Sequence, residues 1–131
     1  MATLCAILPG LNPDIGLGDG IQLNDDQYLI CYGKNNTTSR VSVVDVNGRV
    51  LRSSNLDVGL FHSWRMAVDA DKFAFVSDLR NNHVVLFDSS LSFVRNVTEG
   101  LTNRVSCLCF DDVTRRLYLA QKNNSVVVLQ M

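Results

Sequence analysis

The sequence predicts an all-β fold: an incomplete β-propeller of about three four-stranded antiparallel blades. Three observations lead there. The chain repeats itself, because a shift of 42 positions places Met66-Ala-Val-Asp69 on Leu108-Cys-Phe-Asp111 and Asn81-Asn-His-Val-Val-Leu-Phe87 on Asn123-Asn-Ser-Val-Val-Val-Leu129 without a gap. Within each copy, short runs of Val, Leu, Ile, Phe and Tyr are separated by Asn, Asp, Gly and Ser clusters about 8–12 residues apart, which is strand-and-turn punctuation. Helical periodicity is nowhere sustained over the roughly 10–12 residues a helix would need. A four-stranded unit recurring every ~40–45 residues is the pattern of a propeller blade.

The elements follow in chain order. Residues 1–19 read as an N-terminal strand and loop, with Thr3–Leu8 available to a preceding or closing blade. Blade 1 occupies 20–60, with strands near Gly20–Leu23, Gln27–Tyr32, Arg40–Val46 and Val50–Ser53. Blade 2 occupies 61–103, with strands near Trp64–Val68, Phe73–Ser77, His83–Asp88 and Phe93–Val97. Blade 3 occupies 104–131, with strands near Val105–Phe110, Leu117–Gln121 and Ser125–Gln130, and lacks a fourth. The first copy aligns with the second through Asp26-Gln-Tyr-Leu-Ile-Cys31 on Asp71-Lys-Phe-Ala-Phe-Val76 and Arg40-Val-Ser-Val-Val-Asp45 on His83-Val-Val-Leu-Phe-Asp88. Those two offsets differ by two residues, so one loop is longer in blade 1, a change that loops absorb easily.

Composition limits the function classes. With 131 residues, 47% of them hydrophobic, 19% charged and a net charge of -1, the chain has the apolar content of a packed domain and no charged tail. No apolar run approaches the ~18 residues of a membrane helix, so no membrane partner is expected. The opening Met1-Ala-Thr-Leu-Cys-Ala-Ile-Leu8 has no basic flank and runs into Pro9-Gly10, unlike a signal peptide. A cytoplasmic location is the expectation, and the sequons at Asn35, Asn36, Asn96 and Asn123 then carry little meaning. Cys5, Cys31, Cys107 and Cys109 lack metal-ligand or disulfide spacing and are expected as reduced, buried strand residues.

The run Met66-Ala-Val-Asp69, Phe75-Val-Ser-Asp78 and Arg80-Asn-Asn-His-Val-Val-Leu-Phe-Asp88 resembles an NHL repeat, with its hydrophobic-x-V-D, V-x-D, N-N-R-V and F-D elements. The resemblance spans Gly20 to Leu129 and is best in the middle copy. His83 and Ser125 stand where the motif has arginine, kept only as Arg40, and Ala120 stands where blade 2 has Asp78. A WD40 repeat fits less well because the chain has no W-D or G-H pair. The resemblance implies a recognition module of a larger protein, such as a tripartite-motif ubiquitin ligase, binding protein or RNA.

The motif residues divide into turn formers and a candidate binding rim. Asn81, Asn82, Asn123 and Asn124 fall between second and third strands, where asparagine tolerates left-handed backbone angles. Asp78 can accept hydrogen bonds in the same turn, and Asp45 and Asp88 can do so after the third strands. In an up-and-down blade the turns after strands one and three share a rim, and that rim is acidic, with Asp25, Asp26, Asp45, Asp69, Asp71, Asp88, Asp111 and Asp112. The opposite rim is mildly basic, carrying Lys34, Arg40, Arg65, Arg80, Arg104 and Lys122. Phe61, His62, Trp64 and Arg65 sit there together, either packing between blades or forming a surface for a peptide or a base.

The expected function is therefore a non-catalytic interaction module for a protein partner, less readily RNA, through residues Phe61, His62, Trp64, Arg65, Arg80, Arg104, Lys34 and Lys122. No cofactor or metal is expected. The alternative is a fragment of a gluconolactonase-like, calcium-dependent six-bladed hydrolase, but the sequence has no Ser-His-Asp spacing, zinc motif or phosphate loop. About three blades leave strand edges open, so the chain is expected to be a fragment of a longer product or, if complete, to pair as a homodimeric six-bladed ring.

Overall fold

The computed structural model describes residues 17–33, 35, 38–55, 60, 62–98, 101 and 103–131. Thr3–Leu8, Cys5, Lys34, Asn36 and Phe61 lie outside them. Eleven strands form three antiparallel sheets, and no helix occurs among the described residues. Blade 1 holds β1 (Leu17–Gln22), β2 (Gln27–Tyr32), β3 (Arg40–Asp45) and β4 (Val50–Ser53), hydrogen-bonded in that order. Blade 2 repeats the order with β5 (Ser63–Val68), β6 (Ala74–Asp78), β7 (His83–Phe87) and β8 (Phe93–Asn96). Blade 3 has β9 (Val105–Asp111), β10 (Arg116–Gln121) and β11 (Val126–Gln130).

The first strands line up across the blades, β1 packing on β5 and β5 on β9, so they are the inner strands. That approach is close. A Cβ on Gly18 would stand 2.8 Å from the Trp64 carbonyl oxygen and 2.9 Å from Cys31 Sγ, which excludes a larger residue there without a backbone shift. β1 starts at Leu17, three residues ahead of Gly20, the start of the expected strand.

Two cores lie between the sheets. Leu29, Cys31, Val41 and Val43 of blade 1 pack on Met66, Ala74, Val76, Val85 and Phe87 of blade 2. The opposite face of blade 2 presents Ala67, Phe75, Val84 and Leu86 to Val105, Leu108, Leu117 and Leu119 of blade 3. Because β6 and β7 are covered on both faces, they read as continuous apolar runs rather than alternating ones. Phe75 stacks on Phe110 with ring centroids 5.0 Å apart, and the Arg115 guanidinium sits 4.9 Å over Phe110.

The two outer faces differ. On blade 1, Tyr28, Ile30, Tyr32 and Val44 form a buried cluster, with Tyr32 Oη and Ser42 Oγ sharing a hydrogen bond of 2.8 Å. On blade 3, the side chains alternating with the core residues are exposed, among them Val126 and Val128. Cys107 and Cys109 are therefore exposed, a correction to the expectation of buried cysteines, whereas Cys31 is buried. The reason is that β9 carries core residues on one face only.

The acidic rim is held by one repeated device. Asp45 Oδ1 accepts the N–H groups of Asn47 and Arg49, both at 2.9 Å, and Asp88 Oδ1 accepts those of Ser90 and Ser92 at the same distance. Asp69 Oδ1 does likewise for Asp71 and Phe73, both at 2.9 Å. These aspartates replace backbone acceptors in tight turns. Asp111 Oδ1 accepts from the Val113 N–H at 3.0 Å, and the Thr114 hydroxyl, followed by that N–H, holds its carboxyl below the usual carboxylate range.

Candidate functional site

On the opposite rim, the turn between β6 and β7 is built around Asp78, which is buried. Its Oδ1 accepts the backbone N–H groups of His62 and Arg80, each at 3.1 Å, and its Oδ2 accepts Asn81 Nδ2 at 2.8 Å. His83 Nε2 stands 3.8 Å from the same Oδ2. The Leu79 N–H donates to the His62 carbonyl oxygen at 2.8 Å. Asp78 thereby ties the entry into β5 to the β6–β7 turn, and its oxygens are engaged by that turn.

Asn82 and Asn124 take positive φ, 50° and 64°, as their turn positions predict. Asn81 and Asn123 do not; they act through side chains, Asn123 Oδ1 accepting the Ser125 N–H at 3.1 Å. Asn82 differs in another way: its Oδ1 is buried and has no hydrogen-bond partner. A buried acceptor left unmade costs about 1–3 kcal/mol, so such an atom is a candidate ligand contact.

Asn82 is also one of the residues that line a cavity of about 520 Å³, with His62, Leu79, Arg80 and Arg104. Three of the binding-rim residues expected from sequence, His62, Arg80 and Arg104, converge here. Lys122 is exposed next to them, its backbone N–H donating to the Arg104 carbonyl oxygen at 3.0 Å. Leu79 was not expected, and neither was Asn82 as a lining group; their place in the turn carrying Arg80 is the only signal the sequence offers.

Trp64 and Arg65 lie in strand β5. The Arg65 guanidinium covers the Trp64 ring at 4.6 Å. It also donates to the carbonyl oxygens of Gly18, at 3.0 Å from Nη1, and Ser106, at 3.3 Å from Nε. Trp64 meets His62 edge-on at 5.8 Å between centroids. This pair thus joins the inner strands of all three blades, and of the described residues His62 and Trp64, His62 lines the cavity. Among the described residues, no group of three or more His, Cys, Asp or Glu side chains is placed to hold a metal ion.

Neither family models nor curated proteins give a match to the sequence. Solved structures do. The WD40 β-propeller domain of Doa1 is similar over 92% of this chain, with a TM-score of 0.72 and 13% identity. The fold is a partial β-propeller. The computationally designed Ika4 protein is similar over 84% of the chain, with a TM-score of 0.62 and 18% identity. The chain spans 38% of the length of the Doa1 domain and 63% of Ika4. At these identities the likeness is one of fold. No helix among the described residues is long and apolar enough to cross a membrane.

Proposed function

We propose that this chain is a non-catalytic interaction module that captures an acidic segment of a protein partner in the cavity of His62, Arg80 and Arg104. The observation that carries this reading is the convergence of two arginines and a histidine, Arg80, Arg104 and His62, around one cavity. Guanidinium groups suit planar, bidentate recognition of carboxylates or phosphate esters. The engagement of the Asp78 oxygens by their own turn supports a binding role over a catalytic one.

A protein ligand is favoured over RNA because single-stranded nucleic acid needs exposed aromatic faces for stacking, and the Trp64 ring is covered by Arg65. The motif residues Met66–Asp69, Phe75–Asp78 and Arg80–Asp88 support an NHL-type module of a larger, tripartite-motif-like protein acting in the cytoplasm. The test is fluorescence anisotropy with a labelled Asp/Glu-rich peptide and, in parallel, a single-stranded RNA. The peptide is expected to bind with a salt-sensitive affinity that falls about tenfold or more in Arg80→Glu with Arg104→Glu. Peptide binding unchanged by that double substitution, or RNA bound more tightly than peptide, would overturn the reading.

A further inference from the structure

Asp78 fixes two of the residues that line the cavity against one another. Its Oδ1 accepts both the His62 and the Arg80 backbone N–H, each at 3.1 Å, so the segment entering β5 and the β6–β7 turn share one buried anchor. Arg104 is held from within blade 3. Its carbonyl oxygen accepts the Lys122 N–H at 3.0 Å, and Gln121 Nε2 donates to the carbonyl oxygen of Asn103 at 3.1 Å. Three chain segments of two blades are thereby set around the cavity before a ligand arrives, and a site already in place gives up less freedom on binding.

The lining is composed for one concentrated charge. Arg80, Arg104 and His62 line the cavity with Leu79 and Asn82, and no carboxylate does among the described residues. Asp78, the acid nearest in sequence to Arg80, is buried and engaged by its own turn. Arg65 is committed to the carbonyl oxygens of Gly18 and Ser106, so it does not extend these cations into a longer basic track. A single carboxylate offers two coplanar oxygens and one charge, which one guanidinium fork saturates. A phosphomonoester offers three terminal oxygens and a charge of about −1.5 to −2 at neutral pH, enough for two guanidinium groups and an imidazole N–H to share.

We propose that the anion captured in this cavity is a phosphorylated side chain of the partner protein, so that capture is conditional on phosphorylation. The inference rests on the reading of the cavity as a site for an acidic protein segment and specifies its anion. Arg80 and Arg104 take the terminal oxygens of the phosphomonoester as forks, His62 donates to the oxygen they leave, and Leu79 gives the carbon stem an apolar wall. Lys122, exposed and one hydrogen bond from the Arg104 backbone, adds positive potential at the approach to the site. Without the phosphate, the segment meets the same cations with too little charge to hold them together, and the unphosphorylated partner is released.

The test uses the full chain and labelled Gly/Ala-rich peptides that differ at a single position, which is phosphoserine, glutamate or serine, beside the Asp/Glu-rich peptide. The phosphoserine peptide is expected to bind about tenfold or more tighter than the glutamate peptide, and the serine peptide not to bind. Arg80→Lys with Arg104→Lys keeps both charges and removes both forks; it is expected to weaken phosphoserine binding about tenfold at a temperature where circular dichroism shows the variant folded. Inorganic phosphate is expected to displace the peptide only at concentrations far above the dissociation constant of the peptide. Displacement at that constant itself would make this a site for free phosphate and overturn the proposal, as would phosphoserine binding untouched by the double substitution. If the Asp/Glu-rich peptide binds through Arg80 and Arg104 while phosphoserine has no advantage over glutamate, the phosphate assignment falls and the acidic-segment reading stands. If no peptide binds, both fall.

Discussion

Arg65 Nη1 donates to the Gly18 carbonyl oxygen at 3.0 Å, across 47 residues of sequence. The same guanidinium reaches Ser106 of β9, so one side chain of the middle blade holds the inner strands of both neighbours. Asp19 reinforces the first of these contacts, its Oδ2 accepting the Met66 N–H at 3.1 Å. Two basic groups of similar sequence context therefore serve different ends: Arg65 joins blades, and Arg104 lines a cavity.

Arg65→Ala is expected to destabilise the chain by about 1–3 kcal/mol, the worth of hydrogen bonds from a charged donor, read as a lower urea midpoint. Affinity for an acidic peptide should stay within about twofold under conditions where the variant is folded. A loss of peptide affinity comparable to that of Arg104→Glu would assign Arg65 to the binding site instead.

Thr98→Val should cost about 1–3 kcal/mol, because the Val84 N–H is buried and would lose its acceptor. Thr98→Ser restores the hydroxyl and should recover most of that loss. Equal destabilisation by Val and Ser would point to packing of the methyl group rather than to the hydrogen bond.

The turns after the first and third strands of blade 2 place Lys72 and Leu91 at φ 68° and 63°; at the position of Leu91, blade 1 has Gly48 at 79°. A non-glycine residue in this region carries roughly 1–2 kcal/mol of strain. Lys72 is exposed, so Lys72→Gly should raise stability by up to about 1 kcal/mol once the greater freedom of glycine in the unfolded chain is subtracted. Leu91 is 4% exposed and part of the core between blades 1 and 2. Leu91→Gly should therefore lower stability by about 1–2 kcal/mol, burial outweighing the relief of strain. Thermal denaturation of the two variants should move the melting midpoint in opposite directions.

Strand limits were legible where a turn signal bounds an apolar run, as at Gln27–Tyr32 and Val50–Ser53, which form β2 and β4 as expected. The start of β1 was not, because Leu17-Gly-Asp-Gly20 lacks apolar alternation; Gly18 is there to admit the Trp64 carbonyl. The basic rim was legible from strand alternation alone, since loops of one parity share an end of the sheet. The division of labour within it was not. Arg65 finds its partners 47 and 41 residues away, and no local pattern encodes such distances. Cys107 and Cys109 were misjudged for a related reason: a period of two says that residues share a face, not whether another sheet covers it.

Cys31 makes stability fall at alkaline pH. Burial pushes its thiol from an ordinary 9.0 up to about 12, a shift opposed by hydrogen bonds from the Asp19 backbone and the Ser63 side chain. The unfolded chain releases this proton near pH 9 while the folded chain retains it. The stabilisation is therefore complete below pH 9 and is lost as pH rises through about 12. Within that window the wild-type chain should lose stability faster than Cys31→Ala by about 1.4 kcal/mol per pH unit. The comparison is between slopes, because the alanine also leaves a cavity in the core and lowers stability at every pH, and because Tyr28 and Tyr32 are common to both chains. Urea denaturation at a series of pH values from 8 upward measures both slopes, and parallel lines would show that the Cys31 thiol is not protected from ionisation in the folded chain.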